Sequence, residues 1–131
     1  MALEIVPQGT LAERIRTAGA GLGGFFTPTG YGTLLAEGKE VRMINGKGHV
    51  FETPLSADFA LIRADAADRW GNLRYRATAR NFNPLMAMAA RHTIVEAREV
   101  MDEPLPPETV VTPGIFVSSV TASMAQGGVQ A

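Results

Sequence analysis

An α/β domain, an open mixed sheet with flanking helices and a β-hairpin, is what this 131-residue sequence predicts. Three observations carry that expectation. Residues 10–18 show helical spacing of apolar positions just after a short apolar run that ends at Pro7. Asn45-Gly46-Lys47-Gly48 lies between two strand-like segments, which is a hairpin signal. Residues 59–62 form an unbroken apolar run, as a buried strand would, and residues 93–95 and 115–117 look like further strands.

Each element has a local reason. Residues 3–6 read as a strand that emerges into a loop, because Pro7 ends the apolar run. Thr10 and Glu13 have the spacing of a capping box, in which the hydroxyl accepts from a first-turn amide and the carboxylate reaches back. Leu11, Ile15 and Ala18 then share one helix face, and Gly19 ends the helix. Residues 19–32 are glycine-rich and carry Phe25, Phe26 and Tyr31, so a loop with partly buried aromatics is expected. Residues 72–76 alternate, with Leu73 and Tyr75 on one face. Residues 84–90 predict a helix that is apolar all round and buried, with Pro84 in its first turn. The small, polar, glycine-rich stretch over 120–131 predicts a frayed tail, which makes residues 1–120 the domain and 121–131 flexible.

Composition removes several function classes. Twelve basic against 13 acidic residues leave a formal charge of -1, which recommends neither nucleic acid nor an anionic membrane as a partner. The absence of cysteine excludes disulfides, thiolate zinc sites and a cysteine nucleophile. Two histidines, His49 and His92, are far apart in sequence and suggest no metal site. Residues 1–7 have neither a basic region nor a long apolar run, so no signal peptide is expected and a cytoplasmic location is.

Few motifs point to chemistry. Gly19, Gly21 and Gly24 match G-x-G-x-x-G, but the dinucleotide mechanism needs a strand before it and a helix opening at its end, and here a helix precedes it. Gln8 and Gly9 are better placed, in a loop between a strand end and a helix N-terminus, where open α/β sheets bind ligands. The Gln8 carboxamide either donates to a ligand oxygen or satisfies local backbone. Asn81 or Asn83 reads as an N-cap, and the sequence leaves open whether Arg80 meets a carboxylate of the fold or an anionic ligand. Glu96, Glu99, Asp102, Glu103 and Glu108 read as a solvated acidic stretch.

Four blocks in order, PQGTLAERIR, GGFFTPTGYGTLLAEGKE, ADFALIRADAADRWGNLRYRATARNFNPLMAMAA and VTPGIFV, resemble the A-type (alpha) subunit of family I coenzyme A transferases, the acetate, acetoacetate, 3-oxoadipate and succinyl:3-oxoacid enzymes. The resemblance spans roughly residues 3–120 and implies part of a CoA-transferase-like (NagB/RpiA-like) fold. It implies the C-terminal half of such a subunit, whose other half carries an oxyanion-stabilising Gly-Gly-Phe loop. Gly23, Gly24 and Phe25 are further substrate-binding candidates, although Thr29 stands where that loop would have a glycine.

The implied reaction is ping-pong. A glutamate of the partner B-type (beta) subunit first attacks an acyl-CoA thioester and ends as a glutamyl-CoA thioester, and an acceptor carboxylate takes the CoA by the reverse path. By the same resemblance Gln8 lies in the acyl pocket, and CoA is a co-substrate with no permanently bound cofactor. An oligomer with the other half and with the B-type subunit is expected. The chain alone is then expected to be inactive. The competing function is a catalytically silent assembly domain.

Overall fold

Two sheets organise the chain, and the helices decide which faces are covered. The computed structural model describes Met1 and residues 3–124. Residues 3–6 form no strand, a correction to the expected one. A strand needs a neighbour to take its backbone groups, and no described segment pairs with Leu3 or Ile5, both exposed.

Helix α1 spans Gln8–Gly19. The capping box does not form. Pro7 (φ -57°, ψ 142°) takes the N-cap position with no side-chain hydrogen bond, so Thr10 falls inside the first turn and is buried. Glu13 turns instead to Arg16, whose Nη2 donates at 2.6 Å. The buried face is Thr10, Arg14 and Thr17 rather than Leu11, Ile15 and Ala18. Arg14 can be buried because Nε donates to the Thr53 carbonyl at 2.9 Å and Nη1 pairs with Glu4 at 3.2 Å.

The helix stop is Gly21, not Gly19. Gly21 has φ +70°, its N–H bonds the Ala18 carbonyl, and the Leu22 N–H bonds that of Thr17, a Schellman pattern. Gly19 is still helical, and a Cβ there would come within 2.8 Å of Met88 Cβ where the two helices cross.

The first sheet has the order β1-β3-β2, all antiparallel: β1 (Phe25–Thr27), β2 (Val41–Ile44) and β3 (Lys47–Glu52). The β2–β3 hairpin forms with a two-residue turn. Asn45 (φ 49°) and Gly46 (φ 76°) both take the left-handed conformation that this turn demands. Strand β1 lies inside the segment that reads as a loop, because only its pairing with distant β3 makes it a strand.

The second sheet has the order β5-β4-β6-β7. Strand β4 (Ala57–Asp68) runs parallel to β6 (Ala90–Met101), and β6 runs parallel to β7 (Ser119–Ala122). Short β5 (Leu73–Arg74) is antiparallel to β4. Strand β7 corrects the frayed-tail expectation over residues 120–122, while residues 125–131 lie outside the described residues. Gly114–Phe116 is a 3₁₀ turn rather than a strand, and Ile115 is exposed. Helix α2 (Asn83–Ala89) buries only Ala87 fully, so it is not enclosed all round.

The core lies on one face of this sheet, where Ala60, Ile62, Ala64, Val95 and Ala97 meet Leu73, Tyr75 and Ala87. The opposite face is bare over much of β4: Phe59 is 63% exposed and Leu61 72%, against the buried run the sequence suggests. Glu96 and Glu99 are exposed, as read, and lie on β6.

At the far end of β4 the buried Asp68 carboxylate ties three segments together. It accepts from the Trp70 and Asn72 N–H groups (3.0 Å each), the Asn72 side-chain amide (2.9 Å) and the Leu105 N–H (3.2 Å). Burial by itself pushes its pKa up, yet these donors together hold it below the usual aspartate value. Asn72 Oδ1 in turn accepts the Gly114 N–H at 2.9 Å.

Candidate functional site

The first turn of α1 is the most reactive-looking feature of the chain. The Leu11 N–H makes the first helical bond, to the Pro7 carbonyl at 2.9 Å. The N–H groups of Gln8, Gly9 and Thr10 have no intrahelical partner, and no side chain caps them. They sit at the positive end of the helix dipole.

Gly9 and Thr10 of this turn line a groove of about 470 Å³, and Gln8 lies outside its lining. Pro7, Gly9, Thr10 and Glu13 form one wall, and Phe25, Phe26, Thr27, Pro28 and Thr29 form the other. Two distant tethers bring the walls together. Arg14 binds the chain just beyond β3, and the Leu55 N–H bonds the Arg14 carbonyl at 3.0 Å. Gly24 lets β1 lie flat on β3: it has φ +145°, and a Cβ would overlap the Phe51 ring and approach the Glu52 carbonyl within 2.9 Å. The Arg42 guanidinium sits 4.5 Å over the Phe26 ring and holds it from the outer strand.

Gln8 is exposed in the first turn rather than in a loop, and Gly9 and Phe25 line the groove. A Cβ on Gly9 would meet no atom within 4 Å, so the fold itself does not require glycine there. Gly23 is exposed and equally open, and Gly24 serves packing. The residues after Gly24 form β1, not a helix, so the G-x-G-x-x-G match has no dinucleotide geometry.

Asn83 is not an N-cap. It is the first helical residue of α2, its Oδ1 accepts the Arg63 N–H at 3.1 Å, and its Nδ2 donates to the Ala79 carbonyl at 2.8 Å. Asn81 is exposed, and its N–H donates to the Thr78 carbonyl. Arg80 Nε reaches the Tyr75 carbonyl at 3.3 Å. Thr10, Glu13, Phe26, Thr27, Pro28 and Thr29 are groove residues that sequence reasoning did not nominate. The usable signal was a β-prone Phe-Phe-Thr triplet directly after a glycine pair.

Chemically, the arrangement offers amide donors to an oxygen that carries or develops negative charge. The one carboxylate on its walls, Glu13, is poorly suited to attack. Its hydrogen bonds to Arg16 outweigh a slight burial effect and lower its pKa, which makes it ionised but weakly basic. Among the described residues, no group of three His, Asp or Glu side chains could hold a metal ion, and no helix is long and apolar enough to cross a membrane.

The coenzyme A transferase family model matches residues 1–123. The A-type subunit of the 3-oxoadipate CoA-transferase of Pseudomonas putida is 62% identical over 121 residues, which are 92% of this chain and 52% of that one. The alpha subunit of the acetate CoA-transferase of Escherichia coli K12 is 52% identical over 124 residues, covering 94% of this chain and 56% of its own length. The chain thus spans about half the length of the curated relatives it matches. In structure, an acyl-CoA transferase from E. coli O157:H7, solved as a thioester complex with CoA, superposes with a TM-score of 0.79 at 20% identity, over 93% of this chain and 29% of that one. At that identity the likeness speaks for the fold.

Proposed function

Since the chain belongs to the coenzyme A transferase family, we propose that it is part of the A-type subunit of an enzyme moving CoA between a short-chain acyl-CoA and a carboxylic 3-oxo acid. It works alongside a segment equivalent to the remaining half of its relatives, and with a B-type subunit that carries the nucleophilic glutamate. CoA is the co-substrate, and the setting is cytoplasmic.

The observation that supports this reading is the uncapped first turn of α1, of which Gly9 and Thr10 line a groove. When the partner's glutamate attacks the thioester carbonyl, negative charge grows on that oxygen. The Gly9 and Thr10 N–H groups and the Gln8 carboxamide then stabilise it, and donors fixed in advance need not reorganise as the charge forms. The attack expels CoA thiolate and leaves a mixed anhydride; the thiolate then adds to the glutamyl carbonyl, releasing the first acyl group as its carboxylate and leaving the glutamyl thioester. The same donors serve the return step, in which an acceptor carboxylate takes the CoA by the reverse of these steps and the glutamate is freed. Glu13, held by Arg16, stays a spectator.

Activity is measured with and without partners. The purified chain alone should transfer no CoA from acyl-CoA to acetate or acetoacetate. Mixed with the B-type subunit of the P. putida enzyme and with the unmatched part of its A-type subunit, it should support transfer. Turnover by the chain alone, abolished by mutating one of its own glutamates, would contradict the assignment of the nucleophile to the B-type subunit.

A further inference from the structure

Parallel sheets are almost always covered on both faces, because the crossovers that join their strands are helices and loops that must pack somewhere. Here both crossovers pack on one side. The strand order moves from β4 to β6 to β7 in a single direction, and two right-handed connections made in the same direction land on the same face. Ala87 and Met86, in the first crossover, and Val117, in the second, all pack on the Ala60–Ile62–Val95 cluster. The other face keeps Phe59, Leu61 and Ile94 exposed, with Asn83 of the first crossover beside it.

That bare face is graded. Its first row is Phe59 beside His92, whose rings stack at 5.4 Å. Next come Leu61 beside Ile94, with Ile94 37% exposed. Arg63 beside Glu96 follows, with Thr121 of β7 next to Glu96. At the apolar end Phe59 also borders a pocket of about 140 Å³ shared with Ile15, Leu55 and Met86, large enough for one apolar side chain. An apolar end with an adjoining hole and a charged end suit an amphipathic helical layer. The chain spans only about half of its relatives' length, so their other half is a covering element of the right size.

We propose that the Phe59–Leu61–Ile94 face is where the complementary half of an A-type subunit packs, whether it is joined covalently or supplied by another polypeptide. This rests on the proposed place of the chain in an A-type subunit, to which it adds where the join lies. A charge at Leu61 or Ile94 should break the join. A charge at Met43, on the exposed outer strand of the other sheet, should not.

The probe is the unmatched part of the P. putida A-type subunit, expressed with an affinity tag. It should capture the chain, and Leu61→Asp and Ile94→Lys should each weaken capture at least tenfold while Met43→Asp leaves it unchanged. Hydroxyl-radical footprinting of the unmutated pair keeps the test open should either variant misfold: Phe59 and His92 should lose reactivity on complex formation. No capture, loss through Met43→Asp instead, unchanged footprints, or self-association of the chain abolished by Leu61→Asp would each overturn the proposal. Capture needs no catalysis, so the two readings fail separately. Capture with protected Phe59 but no CoA transfer once the B-type subunit is present would sink the enzymatic reading alone. Transfer at full rate with Leu61→Asp would sink the docking face alone.

Discussion

The C-terminal end of β4 and the first turn of α1 both gather several N–H donors into a small volume, and they differ in what the donors meet. At β4, three backbone N–H groups and a side-chain amide converge on the Asp68 carboxylate. At α1, three backbone N–H groups meet no cap, and two of their residues, Gly9 and Thr10, line a groove. Where the chain supplies its own anion, the cluster serves folding. Where it supplies none, the donors stay available to a ligand. Structure and chemistry should therefore separate under mutation.

The largest effect is expected at the closed cluster. Asp68→Ala leaves one buried and three partly buried donors without an acceptor and should cost about 4 kcal/mol of stability. Thermal unfolding should show a melting temperature lower by roughly ten degrees. The open cluster should respond in activity instead. Gln8→Ala removes the proposed donor and should lower turnover of the assembled enzyme about a hundredfold, equivalent to about 3 kcal/mol. Its melting temperature should stay close to wild type, because Gln8 is exposed.

Gly9→Ala sharpens the contrast. The new methyl meets no protein atom, so stability should hold or rise by about 0.5 kcal/mol. A ligand approaching the first-turn amides would meet that methyl, and catalytic efficiency should drop about tenfold. Equal efficiency would mean that ligand does not approach there.

The smallest effect lies in the acid limb of stability. Asp68 has a folded pKa below its unfolded value of about 3.8. Its contribution is therefore complete above the unfolded value and is lost as pH falls through the folded one. Urea melts from pH 6 down to pH 2 should show a loss in wild type that is shallower in Asp68→Asn.

What the sequence made legible follows how local each determinant is. The β2–β3 hairpin was readable because Asn45 and Gly46 dictate their own turn. Helix α2 was readable from Pro84 and its apolar run, and the placement of Gln8 and Gly9 at a helix N-terminus from the run that follows them. The misreadings arise where distant partners decide. Thr10 and Glu13 have capping-box spacing, but Pro7 takes the cap position and Arg16 takes the carboxylate. Residues 120–122 look like a tail until β6 offers them an edge. Phe59 and Leu61 read as buried because an apolar run does not reveal which face lacks a covering layer. Of the groove's second wall only Phe25 was nominated, since β1 exists through its pairing with residues 50–52.

The most direct test of the central claim is paired turnover and melting of Asp68→Ala and Gln8→Ala in the assembled enzyme, at a temperature where both stay folded. The expected result is a double dissociation: Asp68→Ala melts early with near-normal turnover per folded molecule, and Gln8→Ala melts normally with turnover down about a hundredfold. Full turnover with a lowered melting temperature for Gln8→Ala would contradict it, and would make the first turn of α1 a structural feature rather than the place where the reacting oxygen is held.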